Sequence, residues 1–143
     1  EPAGLAAEAM AAMTREMNFS ECTFVFPAEA AGTDVRLRIF GRAGNEMPFA
    51  GHPVIGSAFA LADDGRIAAG TTDIVFGLGI GPTPVRLEWE GPRLRFAWMT
   101  QQRPVFGPTL PAGAALAAAI GVAPEQIASG LPVQEVSCGS AFF

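Results

Sequence analysis

Ten consecutive residues, Pro53-Val54-Ile55-Gly56-Ser57-Ala58-Phe59-Ala60-Leu61-Ala62, carry no charge and nothing more polar than one serine hydroxyl. A run of this length reads as a helix ended by Asp63-Asp64-Gly65. A helix that is apolar all round has to be enclosed by protein, so the rest of the chain must supply a wrapper. Short strands are the available material. Thr23 to Phe26, ended by Pro27, is apolar on both faces, and Val35-Arg36-Leu37-Arg38-Ile39 alternates strictly, as a strand with one wet face does. Asp73 to Leu78, Val85 to Trp89, Arg93 to Met99 and Pro132 to Ser137 read as further strands. Val85, Leu87 and Trp89 followed by Leu94, Phe96 and Trp98 predict a hairpin with one apolar face, Trp89 and Phe96 on it serving core or interface. Helices are expected over Glu1 to Met17, with Leu5, Ala9, Met13 and Met17 as the core-facing stripe, over Ala112 to Ile120, and briefly over Pro124 to Ala128. The expected class is α+β, a curled mixed sheet wrapped around the central helix Pro53 to Ala62.

Composition narrows the chemistry. At 143 residues the chain fits one domain, and an apolar share of 50% against 16% charge excludes disorder. The net charge of −5 leaves no basic patch for nucleic acid. The charge-free run from Pro104 to Pro124 is broken by proline and glycine and reads as a loop and small helix, which argues against a membrane span. No secretory signal pattern opens the sequence, and two cysteines make no disulfide framework, so a reducing, cytoplasmic setting is the default. All nine basic residues are Arg, and the absence of Lys excludes Schiff-base chemistry. Tyr is also absent and His52 is the single histidine. Proton transfer near neutral pH therefore falls to His52, a tuned carboxylate, or Cys22 and Cys138.

Three groups of residues are candidates. Glu21 stands at the mouth of an apolar strand, where desolvation would raise its pKa into the range useful for acid/base work; the plainer reading is an exposed strand end bonded to a nearby backbone N–H. Gly51-His52 precedes Pro53, and the free N–H groups and dipole of a helix starting there suit a substrate carboxylate, with Gly51 and Gly56 permitting close approach. The plainer reading is a His52 that caps the buried helix and binds a backbone carbonyl. Cys22 and Cys138 are either paired thiol bases or small core hydrophobes. One histidine without clustered partners gives no metal-ligand set. Gly77-Leu78-Gly79-Ile80-Gly81 is better taken as a turn between strands than as a phosphate loop, because Pro82 and Pro84 follow in place of a helix.

Two segments bring these residues together. Asn18-Phe19-Ser20-Glu21-Cys22-Thr23-Phe24-Val25 resembles the N-(L/F)-S-E-T-(T/A)-F-V motif of the PhzF family, the phenazine-biosynthesis isomerase-like proteins. Pro48-Phe49-Ala50-Gly51-His52-Pro53-Val54-Ile55-Gly56-Ser57-Ala58 is similar to that family's L-P-F-A-G-H-P motif and its continuation, and Val35 to Phe40 is similar to the strand between them. Leu131 to Ser140 resembles, more weakly, the end of the family's first half.

The resemblance implies a diaminopimelate-epimerase-like fold of two similar halves, each a sheet curled around a helix, with the active site between them. It also implies a cofactor-free isomerase or epimerase that moves a proton on a small carboxylic acid. Glu21 would be the acid/base, Ser20, Gly51 and His52 would line the substrate site, and a homodimer would be the assembly. The departures are Cys22 and Cys138, each where the family commonly has Thr. The family's D-P-A-T-G-S-A segment and its opening strand with a G-N-P turn are absent. With apolar residues at its last positions and a helix at its first, the chain is expected to be the N-terminal half of a longer protein, the second half being a required partner. The alternative function is a catalytically silent anion-binding domain of the same fold.

Overall fold

A computed structural model describes residues 4–111, 113–128, 130–139 and 141–142. The chain divides into two compact units, Glu1–Gln101 and Gln102–Phe143. The first contains α1 (Ala7–Met17), β1 (Glu21–Pro27), β2 (Val35–Gly41), β3 (Glu46–Met47), α2 (Gly51–Asp63), β4 (Asp73–Leu78), β5 (Gly81–Glu90) and β6 (Arg93–Met99). Its strands form one curled sheet in the order β1-β2-β4-β5-β6, with β3 added to β2. Every pairing is antiparallel except β2 with β4, so the sheet is mixed and the class is α+β.

The apolar helix lies in the curve of this sheet. Val54, Ala58 and Leu61 of α2 share one core with Leu37 and Ile39 of β2, Phe76 and Leu78 of β4, Val85 and Leu87 of β5, and Leu94 and Ala97 of β6. Burying each large side chain of this set contributes roughly 1.5–3 kcal/mol. One stripe departs from the expected enclosure: His52, Gly56 and Ala60 are exposed. The helix also starts two residues before the expected Pro53, so Gly51 and His52 belong to its first turn.

The two parallel strands meet along a narrow seam. Only Val35 with Phe76 and Arg36 with Gly77 are in register. Asp34 reinforces the seam from both sides: its backbone N–H donates to Val75 O at 2.8 Å, and its carboxylate accepts from Val75 N–H at 2.7 Å. The Arg36 guanidinium donates to Gly77 O at 3.0 Å.

α1 packs on the sheet through a face other than the expected one. Met10, Ala11 and Thr14 are buried, together with Phe26 and Phe40, whereas Met13 and Met17 are exposed. Thr14 sits inside because its hydroxyl donates to Met10 O at 2.9 Å, which satisfies the one polar group it brings. The start at Ala7 is also later than expected. Asn18 ends the helix in the left-handed region, φ 56° and ψ 25°, a conformation its short amide tolerates.

The β5–β6 hairpin corrects the expected alternation. The register steps by one residue on β5 but two on β6 between the Glu88–Phe96 and Trp89–Leu94 pairs, leaving Arg95 as the extra residue of a bulge. Beyond it the faces exchange: Ala97 turns into the core while Phe96 and Trp98 turn out. Trp89, on the inner side, donates from Nε1 to Thr71 O at 2.7 Å.

The second unit holds β7 (Val105–Leu110), α3 (Ala114–Ile120), a 3-10 turn at Pro124–Gln126, β8 (Val133–Ser137) and β9 (Ala141–Phe142), its sheet ordered β7-β8-β9. β7 and β9 were not expected. β7 lies in the proline- and glycine-broken run expected as a loop and small helix, and the β7–β8 register shifts between Phe106 and Thr109, where Gly107-Pro108 falls.

Candidate active site

Glu21 is the first residue of β1, held in register opposite Gly41 of β2. Its side chain is 17% exposed and its Oε2 lies 3.1 Å from His52 Nε2, whose ring is 74% exposed. Oε2 is itself cut off from solvent and accepts no hydrogen bond among the described residues. The imidazole is close in distance without the alignment of a hydrogen bond. A buried carboxylate oxygen left unbonded costs on the order of 1–3 kcal/mol, so a folded protein that keeps one does so at a cost to stability.

His52 reaches this position because the loop before α2 is fixed from the other side. Gly79, in the turn between β4 and β5, lies so close to Pro48 that an added Cβ would stand 2.7 Å from the Pro48 Cα. The neighbouring Ile80 N–H donates to Pro48 O at 3.1 Å. Phe49 and Ala50 are then buried, and α2 begins. Its N-cap is Ala50, which offers no side-chain oxygen, and its first turn holds no acidic residue. Pro53 has no N–H, so the free donors of this helix end are the Gly51 and His52 backbone groups.

A cleft of about 530 Å³ runs from this corner along α2. Glu21, Thr23 and Val25, alternate residues of β1, form one wall; His52, Gly56 and Ala60 belong to the exposed stripe of α2, with Asp64 and Arg66 further along. Thr23, Ser57, Asp64 and Arg66 were not singled out from the sequence. The period of two in β1 and the four-residue spacing 52, 56, 60, 64 in α2 were the signals that would have found most of them.

The structure brings Glu21 and His52 together. Ser20 and Gly51 adjoin them in the chain, but neither lines the cleft. Ser20 is exposed, and its carbonyl accepts the Arg42 N–H at 3.0 Å. Crowding does not demand glycine at position 51 or 56: a Cβ on Gly51 would make ordinary contact with Met99 at 3.7 Å, and one on Gly56 would meet nothing within 4 Å. Cys22 points away from the cleft, between Glu21 and Thr23, and both Cys22 and Cys138 are free thiols. Among the described residues no group of three or more His, Cys, Asp or Glu is placed to hold a metal ion, and no helix is long and apolar enough to cross a membrane.

The model of the PhzC-PhzF family, phenazine biosynthesis-like proteins, matches residues 2–142. The chain is 54% identical over 57 residues to the trans-2,3-dihydro-3-hydroxyanthranilate isomerase of Pseudomonas aeruginosa, a stretch covering 40% of this chain and 20% of that enzyme. The solved structure of a predicted epimerase from Pseudomonas aeruginosa superposes with a TM-score of 0.81 at 31% identity, covering 99% of this chain and 49% of that one. A PhzF-family phenazine biosynthesis protein of Bacillus anthracis gives 0.78 at 27% identity, covering 99% and 46%. The chain thus spans about half the length of these solved relatives.

Proposed function

The chain belongs to the PhzC-PhzF family, and on that premise we propose that it carries one side of the active site of an isomerase or epimerase that needs no cofactor and moves a proton on a small carboxylic acid. The observation that supports this most directly is Glu21 in the wall of the cleft, its Oε2 3.1 Å from His52 Nε2 and without a hydrogen bond. An unbonded carboxylate oxygen is free to accept a proton from carbon and to return it, which is what a general acid/base must do. The Gly51 and His52 N–H groups, at the positive end of the α2 dipole, would hold the substrate carboxylate while the proton moves.

In this reading the chain is the first of two similar halves, and the second half of the whole protein supplies the facing groups and closes the cleft. Ser20 lies outside the cleft of this half, and its place in the substrate site rests on the resemblance alone. The substrate class is that of the Pseudomonas aeruginosa relative, a small unsaturated ring acid, whose isomerisation requires a proton to leave one carbon and arrive at another.

The test uses the full-length protein in deuterium oxide with trans-2,3-dihydro-3-hydroxyanthranilate. Wild type should wash deuterium into the substrate, and Glu21→Gln should reduce the rate by at least about a hundredfold, the lower range for removing a general base. Exchange at the wild-type rate in the Gln variant would remove Glu21 as the base. Binding without exchange in wild type would leave a ligand-binding domain.

A further inference from the structure

Glu21 stands opposite Gly41 in the end pair of the β1–β2 ladder, and Gly41 turns both its polar backbone groups the other way. Its N–H donates to Asn45 O at 2.9 Å, and its carbonyl accepts the Gly44 N–H at 2.7 Å. Bonded and unbonded pairs alternate along an antiparallel ladder, so an unbonded pair is held by the rungs on either side of it. On one side of Glu21 that rung is Cys22 with Phe40. On the other, just past the end of the strand, it is Ser20 with Arg42, whose N–H donates to Ser20 O at 3.0 Å.

Arg42 grips the same turn a second time. Its side-chain Nε donates to Phe19 O at 3.4 Å. Phe19 and Ser20 are exposed residues that join Asn18, the left-handed end of α1, to Glu21, and both their carbonyls are taken by this one residue. Arg42 in turn has a firm mount. The turn that carries it is closed by the two Gly41 bonds, and Gly44, at φ 84°, rests on α1. A Cβ added there would lie 3.2 Å from the Ala11 Cβ and would meet the Arg15 guanidinium. The Arg42 side chain is itself exposed and does not line the cleft.

We propose that Arg42 is a positioning residue: by holding the Phe19 and Ser20 carbonyls it fixes the start of β1, and with it the Glu21 carboxylate against His52. A reacting group misplaced by about 1 Å can lose about a hundredfold in rate, whereas one exposed hydrogen bond adds little to the stability of a whole fold. Loss of the Arg42 side chain is therefore felt at Glu21 and hardly at all in unfolding. Its effect on rate rests on the proposed role of Glu21; its effect on the surroundings of His52 does not.

The experiment compares Arg42→Ala, Arg42→Gln and Glu21→Gln in the full-length protein. The first readout is the ring-proton resonance of His52, assigned by its loss in His52→Gln. Glu21→Gln should move it, and Arg42→Ala should move it in the same direction. Arg42→Gln should leave it in place, because the glutamine amide nitrogen stands as many bonds from the backbone as arginine Nε and donates without the charge. The second readout is deuterium exchange into the substrate. Arg42→Ala should lower kcat about tenfold with KM within about twofold, Arg42→Gln should keep the wild-type rate, and Arg42→Ala added to Glu21→Gln should lower it no further. Urea midpoints of the Arg42 variants should equal that of wild type. An unmoved His52 resonance in Arg42→Ala would overturn the proposal, as would a lowered urea midpoint or an equal loss of rate in the Glu21→Gln background. Wild-type exchange in Glu21→Gln with the resonance moved by Arg42→Ala would remove Glu21 as the base and still support Arg42 as what holds it.

Discussion

At the scale of single residues, the candidate site depends on a contact made on the far side of the loop that leads to it. Gly79 has no side chain, and the Pro48 backbone occupies the space one would fill. Gly79→Ala would push Pro48 outward and carry Gly51 and His52 away from Glu21. Overpacking against backbone typically costs about 1–3 kcal/mol, so the variant should unfold at a lower urea concentration and, on the proposed function, exchange deuterium more slowly in the full-length protein. Thermal or urea unfolding alongside the exchange assay would check both; an unfolding midpoint equal to wild type would show that the loop gives way freely. Glu21 illustrates the opposite arrangement, a group whose surroundings bury one oxygen without giving it a hydrogen bond.

At the scale of elements, the clearest electrostatic feature joins β2 to β3. Arg38 donates to both carboxylate oxygens of Glu46, at 2.8 Å from Nε and 2.6 Å from Nη2. These bonds hold Glu46 below the usual carboxylate range and raise Arg38 further above its own. Because the Glu46 pKa is lowered on folding, its contribution is present above the ordinary carboxylate pKa and is lost as pH falls towards the lowered value. Glu46→Gln should therefore be less stable than wild type at neutral pH, and the two should converge in acid. Urea midpoints measured from pH 7 down to pH 3 would check this, and a gap that stayed constant with pH would contradict it.

The same scale shows how far the sequence could be read. β4 and β6 begin and end where their patterns do, and the uncharged run correctly marked the helix inside the curve. The α1 stripe was misplaced because a four-residue spacing of apolar residues fits more than one face, and Thr14 becomes a core residue only through its bond to Met10 O. The outward turn of Phe96 and Trp98 was invisible because one extra residue in a strand changes no composition but exchanges its faces. The meeting of Glu21 and His52 was legible through their motifs. The rest of the cleft wall was not, because it depends on how β1 lies against α2, which no local pattern encodes.

At the scale of the molecule, the first unit is two antiparallel systems joined by a thin connection. β1 with β2, and β4 with β5 and β6, are each built from neighbours in sequence, whereas the β2–β4 seam joins residues 41 apart through two paired positions. Local hairpins form in microseconds, while distant pairing waits on closing the intervening loop. The order of assembly follows: both hairpin systems collapse first, and the seam sets the rate at which they become one sheet. Asp34→Ala, which removes the side-chain stitch to Val75, should slow refolding several-fold and change unfolding less, a φ-value in the upper half of the range. A stopped-flow chevron would read it directly, and a φ near zero would put the seam after the barrier. In a cell the consequence is temporal: until Asp34 meets Val75, a newly made chain has both hairpins and no cleft.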